Sequence, residues 1–346
     1  PTNVIQDTYN ANIEETYIPV GEASKDSYEK YQNYLTQLSG FVANEYTSRY
    51  YYSGGVAPQV VGYTYSITPE QLDTYKKMGY AGDERVGQAG LEKTGEEYLA
   101  GKPSADLYVM GPDGATVTRL AHVDPQAPDD ITTTLDKSLQ LQTQKALMGF
   151  TGAAVVMEID TGKILAMASS PDFDPNLFEP ENVNSQYLLS DLINDPTTPM
   201  WNRAAQSSYP LGSVFKIITM SAALESGMYT PDTTYDCTSQ WTELPNETFN
   251  DWTYDDGLPP SGELTLVEGL MRSCNPYFYH IALDLFRHKS GTYLADMARQ
   301  FGLGTATGIE NVAEDTGAIN NPTDDGSASQ MGIGQGDMLV TPLQVV

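Results

Sequence analysis

The chain has 346 residues, of which 40% are hydrophobic and 18% charged, and its 46 acidic and 18 basic side chains leave a net charge of −28. That length suits two domains and that apolar fraction a sizeable core, which excludes a disordered polyelectrolyte. A field this negative repels phosphate backbones and excludes nucleic acid as a partner; it serves solubility and identifies no substrate, since an anionic one would need a local basic pocket.

Residues 1–48 are polar, with helical patches around Tyr28–Leu38. The partial alternation Gln59-Val60-Val61-Gly62-Tyr63-Thr64-Tyr65 predicts a strand. Thr68, Pro69 and Gln71 then predict a helix start, with Thr68 as the cap, Pro69 at the first helical position and Gln71 at the third. A second helix is predicted over Leu91–Ala100, closed by Gly101-Lys102-Pro103. Leu107–Met110 and Thr116–Thr118 flank Pro112-Asp113-Gly114, a hairpin pattern. A Pro/Asp-rich joint, Asp124 to Asp130, marks the domain boundary, giving domains 1–123 and 124–346.

Beyond it, Thr134 is positioned to cap a helix reaching Leu147. Ala153–Ile159 and Lys163–Ala168 read as two apolar strands joined tightly at Asp160-Thr161-Gly162. Residues 171–209 read as irregular. A helix is predicted from Ser213 to Leu224, another from Leu266 to Arg272, and a third from Tyr277 to Phe286 after a break at Asn275-Pro276. Neither repeats nor low-complexity tracts occur.

The two cysteines, Cys237 and Cys274, are too few for a disulfide scaffold and lack metal-ligand spacing; the reading prefers two separate thiols to one bridge. The three histidines, His122, His280 and His288, form no His-Glu-x-x-His pattern or Cys/His cluster, so a mechanism without metal is expected. His280 has no evident partner and reads as structural. No segment approaches the roughly 20 apolar residues of a membrane helix. The chain opens at Pro1 without a signal peptide, as a processed or trimmed protein with an upstream anchor would.

The sharpest chemical pattern is Gly212-Ser213-Val214-Phe215-Lys216. Serine and lysine three apart at a helix start share a face, so the amine can reach the hydroxyl. Burial lowers a lysine's pKa and lets it accept the serine proton, while the helix N-terminus supplies N–H groups and positive potential. Alone, this tetrapeptide reads more simply as a capping serine and a solvated lysine. Ser273-Cys274-Asn275 follows 60 residues later, just before Pro276, where a turn can aim a hydroxyl and an amide inward; alone it reads as turn chemistry.

Serine acyl-transferases that recognise penicillin carry Ser-x-x-Lys, Ser-x-Asn and Lys-Thr-Gly in that order. The chain resembles the class B penicillin-binding proteins of that type. Asn202-Arg203 followed by Tyr209-Pro210-Leu211-Gly212-Ser213-Val214-Phe215-Lys216 is similar to the family's Tyr-x-Pro-Gly-Ser-x-Phe-Lys, with the proline one place early. Similar stretches are Thr133–Asp136 with Leu139-Gln140, Asp160–Ser169 with Pro171–Asn176, Ser273–Tyr279, Ile333–Gly336 and Val340–Gln344. Arg49, Gly62-Tyr63, Gly82-Asp83, Gly87, Gly90-Leu91-Glu92, Tyr98-Leu99 and Gly101 resemble the family's N-terminal pedestal. From Arg49 onward the likeness is nearly continuous; before it the match is patchy.

The resemblance implies an α+β N-terminal pedestal, dimerisation-like, over 1–123 and an α/β transpeptidase domain over 124–346, with helices packed on a mainly antiparallel sheet. It implies a peptidoglycan D,D-transpeptidase that cross-links stem peptides through a serine acyl-enzyme and is acylated by β-lactams. The roles implied are nucleophile for Ser213, base for Lys216, proton transfer to the leaving D-Ala for Ser273 and substrate amide binding for Asn275. It implies no cofactor. Expected partners are stem peptides ending in D-Ala-D-Ala, β-lactam antibiotics and a membrane glycosyltransferase of the SEDS type. The expected location is the extracytoplasmic face of a bacterial membrane, the anchor lying outside this sequence.

The family's Lys-Thr-Gly follows the Thr-Pro-Leu-Gln helix, and the sequence stops at Val346, so a C-terminally incomplete domain is expected and its activity stays open. Lys93-Thr94-Gly95 precedes the nucleophile on an acidic, solvated helix face and is a coincidence. Gly332, Gly334 and Gly336 lack a phosphate loop's context. Two other readings stand beside the enzyme: a non-catalytic scaffold of the wall-synthesis machinery, and a serine β-lactamase or antibiotic sensor, which the pedestal motifs disfavour.

Overall fold

The structure is a computed structural model that describes residues 23–45, 49–180, 182 and 185–346. The polar stretch before Ala23 lies outside the described residues. The chain divides into two compact units, Pro1–Thr151 with Ser169–Trp201 and Gly152–Ala168 with Asn202–Val346. Among the described residues no helix is long and apolar enough to cross a membrane.

In the first unit a polar helix spans Lys25–Leu35, capped by Ser24. Gln59–Val61 is not strand: Pro58–Val61 is one helical turn with proline in its first position, and extended pairing begins only at Thr64–Ser66. That short strand runs antiparallel to Arg85–Gly87. Gly62, at φ +85°, lets the chain pass so close to Ala89 that a Cβ would collide with its carbonyl. The expected Leu91–Ala100 helix is two pieces, Gly90–Thr94 and Glu96–Leu99, broken at Gly95. The helix predicted from Thr68 starts later, at Leu72, and ends at Lys77; Gln71 Oε1 accepts from Thr68 N instead.

Arg85 ties this unit together. Its Nη2 donates to Thr64 O at 2.7 Å, Phe178 O at 2.9 Å and Glu179 Oε1 at 3.0 Å. Tyr63 stacks on Phe178 with ring centres 3.6 Å apart. The predicted hairpin forms as Ala105–Met110 against Thr116–Val123, antiparallel. The helix after the joint spans Lys137–Leu147 and is capped by Asp136, which accepts from Leu139 N, and not by Thr134 two residues earlier. Residues 171–209, read as irregular, include a helix at Ser185–Asn194.

The predicted strand pair forms as Gly152–Met157 with Ile164–Ser170, all but its last two residues in the second unit. Among the described residues the strands pair in twos: Thr234–Cys237 with Gly262–Thr265, Gln240–Trp241 with Phe249–Asn250, and Ala318–Ile319 with Met338–Leu339. Its core is built round the helix Asn275–His288, whose Tyr277, Phe278, Ile281, Ala282, Leu283 and Leu285 are all buried. Against these pack Phe215, Ile218, Ala222 and Trp241. Each large side chain removed from water there contributes roughly 1.5–3 kcal/mol, so the first turn of this helix is firmly held.

Candidate active site

The approach to Ser213 is fixed by backbone pairing. Tyr209 and Val340 exchange two hydrogen bonds, each 2.9 Å, and Gly212 N donates to Gly334 O at 2.9 Å. Gly334 sits at φ +72°, and a Cβ there would strike Gly212 O and come within 2.7 Å of Phe215 Cβ. The glycine-rich segment thus serves close backbone packing beside Ser213.

The chain turns at Gly212, φ +62°. Ser213 lies in a 3₁₀ turn, Gly212–Phe215, and Lys216 opens the α-helix Lys216–Glu225. Residues three apart eclipse in a 3₁₀ turn, which puts both side chains on one side. Ser213 is exposed, whereas Lys216 is fully buried.

The second motif arrives from another direction. Thr265 and Glu268 form a capping box on the helix Leu266–Arg272, which stops at Ser273 in the left-handed region, φ 56° and ψ 39°. A serine in that conformation costs on the order of 1 kcal/mol, a strain that persists only where the surroundings enforce it. The reversal lets the next helix start at once at Asn275, with Cys274 Sγ accepting from Tyr277 N.

These two segments meet. Lys216 Nζ donates to Ser273 O at 2.7 Å, Ser273 Oγ at 2.9 Å and Asn275 Oδ1 at 2.6 Å. Ser273 Oγ in turn lies 3.1 Å from Ser213 Oγ. All four residues singled out in the sequence therefore gather at one point. The amine connects to the Ser213 hydroxyl through Ser273, where the sequence suggested a direct Lys216–Ser213 contact. Burial pulls the Lys216 amine down to about 8, against the opposing effect of the Asp251 charge. The Phe278 ring, 5.5 Å from Nζ, closes the far side.

Two features of the site escaped the sequence reading. The first corrects it: Cys237 and Cys274 are joined in a disulfide, not separate thiols. The strand ending at Cys237 pairs with the strand that leads directly into the helix before Ser273, so the ladder returns Cys274 to Cys237. Both are fully buried.

The second is Asp251, also fully buried. One oxygen accepts from Asn275 N at 2.8 Å; the other accepts from Thr253 Oγ1 at 2.7 Å and Thr253 N at 3.2 Å. The sequence signal was present as Asp251-Trp252-Thr253, an Asx cap opening the short helix Trp252–Asp255. Its reach to Asn275 was not. Cys237, Asp251 and Cys274 also form the one cluster of metal-ligand types among the described residues. With the sulfurs bonded to each other there is no thiolate to offer, and both Asp251 oxygens already accept hydrogen bonds.

Other expectations change as well. His280 has partners: Nδ1 lies 2.8 Å from Glu243 and Nε2 3.6 Å from Asp284. Glu92, placed on a solvated face, is buried and pairs with Arg49 at 3.0 Å. Lys93-Thr94-Gly95 lies in the first unit, whereas all four candidate residues lie in the second.

Residues 152–346 match the family described as the penicillin binding protein transpeptidase domain, and residues 3–133 the penicillin-binding protein dimerisation domain. The peptidoglycan D,D-transpeptidase MrdA of Escherichia coli K12 is 32% identical over 326 residues, covering 89% of this chain and 50% of that protein. The chain thus spans about half the length of the curated relatives it matches. A solved complex of the penicillin-binding protein PBP2 with MreC from Helicobacter pylori superposes with a TM-score of 0.75 at 25% identity, covering 99% of this chain and 67% of that one. A solved peptidoglycan synthase complex, described as coordinating polymerization and crosslinking, gives a TM-score of 0.70 at 29% identity, covering 100% and 63%. With a dimerisation domain preceding a transpeptidase domain, the chain belongs to the class B penicillin-binding proteins.

Proposed function

We propose that this chain carries the acylation site of a serine D,D-transpeptidase that cross-links peptidoglycan stem peptides. The supporting observation is the hydrogen-bonded chain Ser213–Ser273–Lys216, with Asn275 on the same amine. At pH 7 an amine with a pKa of about 8 is neutral in about one molecule in ten, enough to serve as a base.

With Lys216 neutral, the two hydroxyls reverse their donor sense. Ser213 Oγ attacks the penultimate D-Ala carbonyl carbon as its proton passes to Ser273 Oγ, and the Ser273 proton passes to Lys216 Nζ. The Ser213 backbone N–H stabilises the oxyanion. As the tetrahedral intermediate collapses, the C–N bond breaks and the departing D-Ala amine takes a proton back along the same route. An amine from a neighbouring stem peptide then attacks the ester and frees Ser213. Asn275 holds the substrate amide. A β-lactam opens on Ser213 in the first half of this cycle.

We assign residues 1–123 to a pedestal and 124–346 to the catalytic domain. The kinship to MrdA and to a peptidoglycan synthase complex supports a site on the extracytoplasmic side of a bacterial membrane, beside a glycosyltransferase of the SEDS type. The test uses the full-length protein that carries this sequence, a stem peptide ending in D-Ala-D-Ala and an amine acceptor. Release of D-Ala that is lost in Ser213→Ala is expected; equal release from the variant refutes the assignment.

A further inference from the structure

We propose that Asp251 is a positioning residue of this site: from behind the Ser273–Asn275 turn it holds Asn275 by the backbone and sets the charge against which Lys216 works. Asn275 is gripped from two sides. Its backbone N–H goes to Asp251 at 2.8 Å, and its side-chain oxygen takes the Lys216 amine at 2.6 Å. A shift of Asp251 therefore moves the group that Lys216 donates to.

A buried carboxylate is costly unless paired or put to use. Asp251 is fully buried, and among the described residues it forms no ion pair within 4 Å. Its oxygens accept only neutral donors, from Asn275 and Thr253. The nearest use for its charge is Lys216, whose amine it pulls back toward protonation against the effect of burial. The other groups facing the amine are neutral: Ser273, Asn275 and the Phe278 ring. Around Asp251, the titratable neighbour is Tyr279, pushed up to about 12 by burial and then by the charges of Asp251 and Asp255. Cys237 and Cys274 are bonded and do not titrate.

Asp251 thus keeps the resting amine cationic and hydrogen-bonded, which locks the Ser273 and Asn275 geometry before substrate arrives. It limits how far burial can lower the amine's proton affinity. Its activity test rests on the acyl-transfer reading; a second test does not.

The test compares the full-length protein with Asp251→Asn and Asp251→Glu. Asparagine keeps an oxygen for the Asn275 N–H and removes the charge; glutamate keeps the charge. The first readout is the rate of labelled penicillin attachment from pH 6 to 10. The acid limb is expected to move down by about one pH unit in Asp251→Asn and to stay near the parent's in Asp251→Glu. The second readout is the unfolding midpoint over the same range. The folded-state pKa of Lys216 lies below its unfolded value, so stability rises with pH above the folded pKa, and in Asp251→Asn that rise begins at lower pH by the same amount.

Rates that fall equally at every pH, with limb and stability profile unmoved, overturn the proposal. If no form takes up penicillin, the acyl-transfer reading fails and the unfolding profile still decides the role of Asp251. If Asp251→Asn shows no cooperative transition, Asp251→Glu decides: a limb or stability rise displaced toward acid by about a unit overturns the proposal.

Discussion

Cutting the Cys237–Cys274 bond isolates what holds the Ser273–Asn275 turn in place. The bridge spans 37 positions of sequence. Closing a loop of that length removes unfolded-chain entropy equivalent to about 4 kcal/mol at 25 °C. In a cooperative unit of roughly 200 residues, 1 kcal/mol moves the unfolding midpoint by about 2–4 °C. Cys237→Ala, or the parent under strong reductant, should therefore melt about 8–16 °C lower. Alanine is chosen because position 237 is fully buried and a serine hydroxyl there would seek a partner. Cys274 Sγ still caps the helix at Tyr277 N in that variant. Calorimetry with and without reductant gives the shift, and alkylation of the denatured, unreduced protein counts thiols. Two alkylated thiols, or midpoints within about 2 °C of each other, would refute the reasoning, since the predicted loss is several times larger.

Lys216→Met should lose one pH-dependent part of stability. The folded amine releases its proton near 8 and the unfolded one near 10.5, so the parent gains stability as pH rises through that window. Between pH 7 and 9.5 the gain is about 2 kcal/mol, or about 4–8 °C in midpoint relative to the variant; parallel profiles would contradict it. Gly334→Ala places a methyl against Gly212 O at a positive φ. It should lower the midpoint by several degrees and slow penicillin attachment together, measured by calorimetry and label uptake, and unchanged attachment would show that the Gly212–Gly334 contact does not position Ser213.

What could be read in the sequence was local. Leu266–Arg272 was legible because its helical pattern is local, and the Thr265–Glu268 capping box that the structure adds needs no tertiary partner either. The Ala105–Val123 hairpin followed from Pro112-Asp113-Gly114 for the same reason. Gln59–Val61 misled because the alternation over Gln59–Tyr65 is only partial and Gln-Val-Val suits a helical turn as well as a strand; Pro58 at the first helical position fits the turn. Thr134 and Asp136 are both capping types; the helix begins at Lys137, and it is the Asp136 carboxylate that lies next to the Leu139 N–H.

At the site, Ser213 and Lys216 were legible from spacing, and Ser273 and Asn275 from order and family likeness. Their connection was not. Ser273 enters the Lys216–Ser213 path because it adopts a left-handed conformation that a serine seldom takes without enforcement. The disulfide and the Asp251–Asn275 contact join residues 37 and 24 positions apart, which no local pattern announces.

The most direct measurement for the acyl-enzyme claim is intact-mass analysis of the full-length protein after exposure to benzylpenicillin, followed by peptide mapping. One penicilloyl group per chain, on Ser213 and absent from Ser213→Ala, is the predicted result. A chain that stays unmodified, or one that carries the group on another residue, would contradict it.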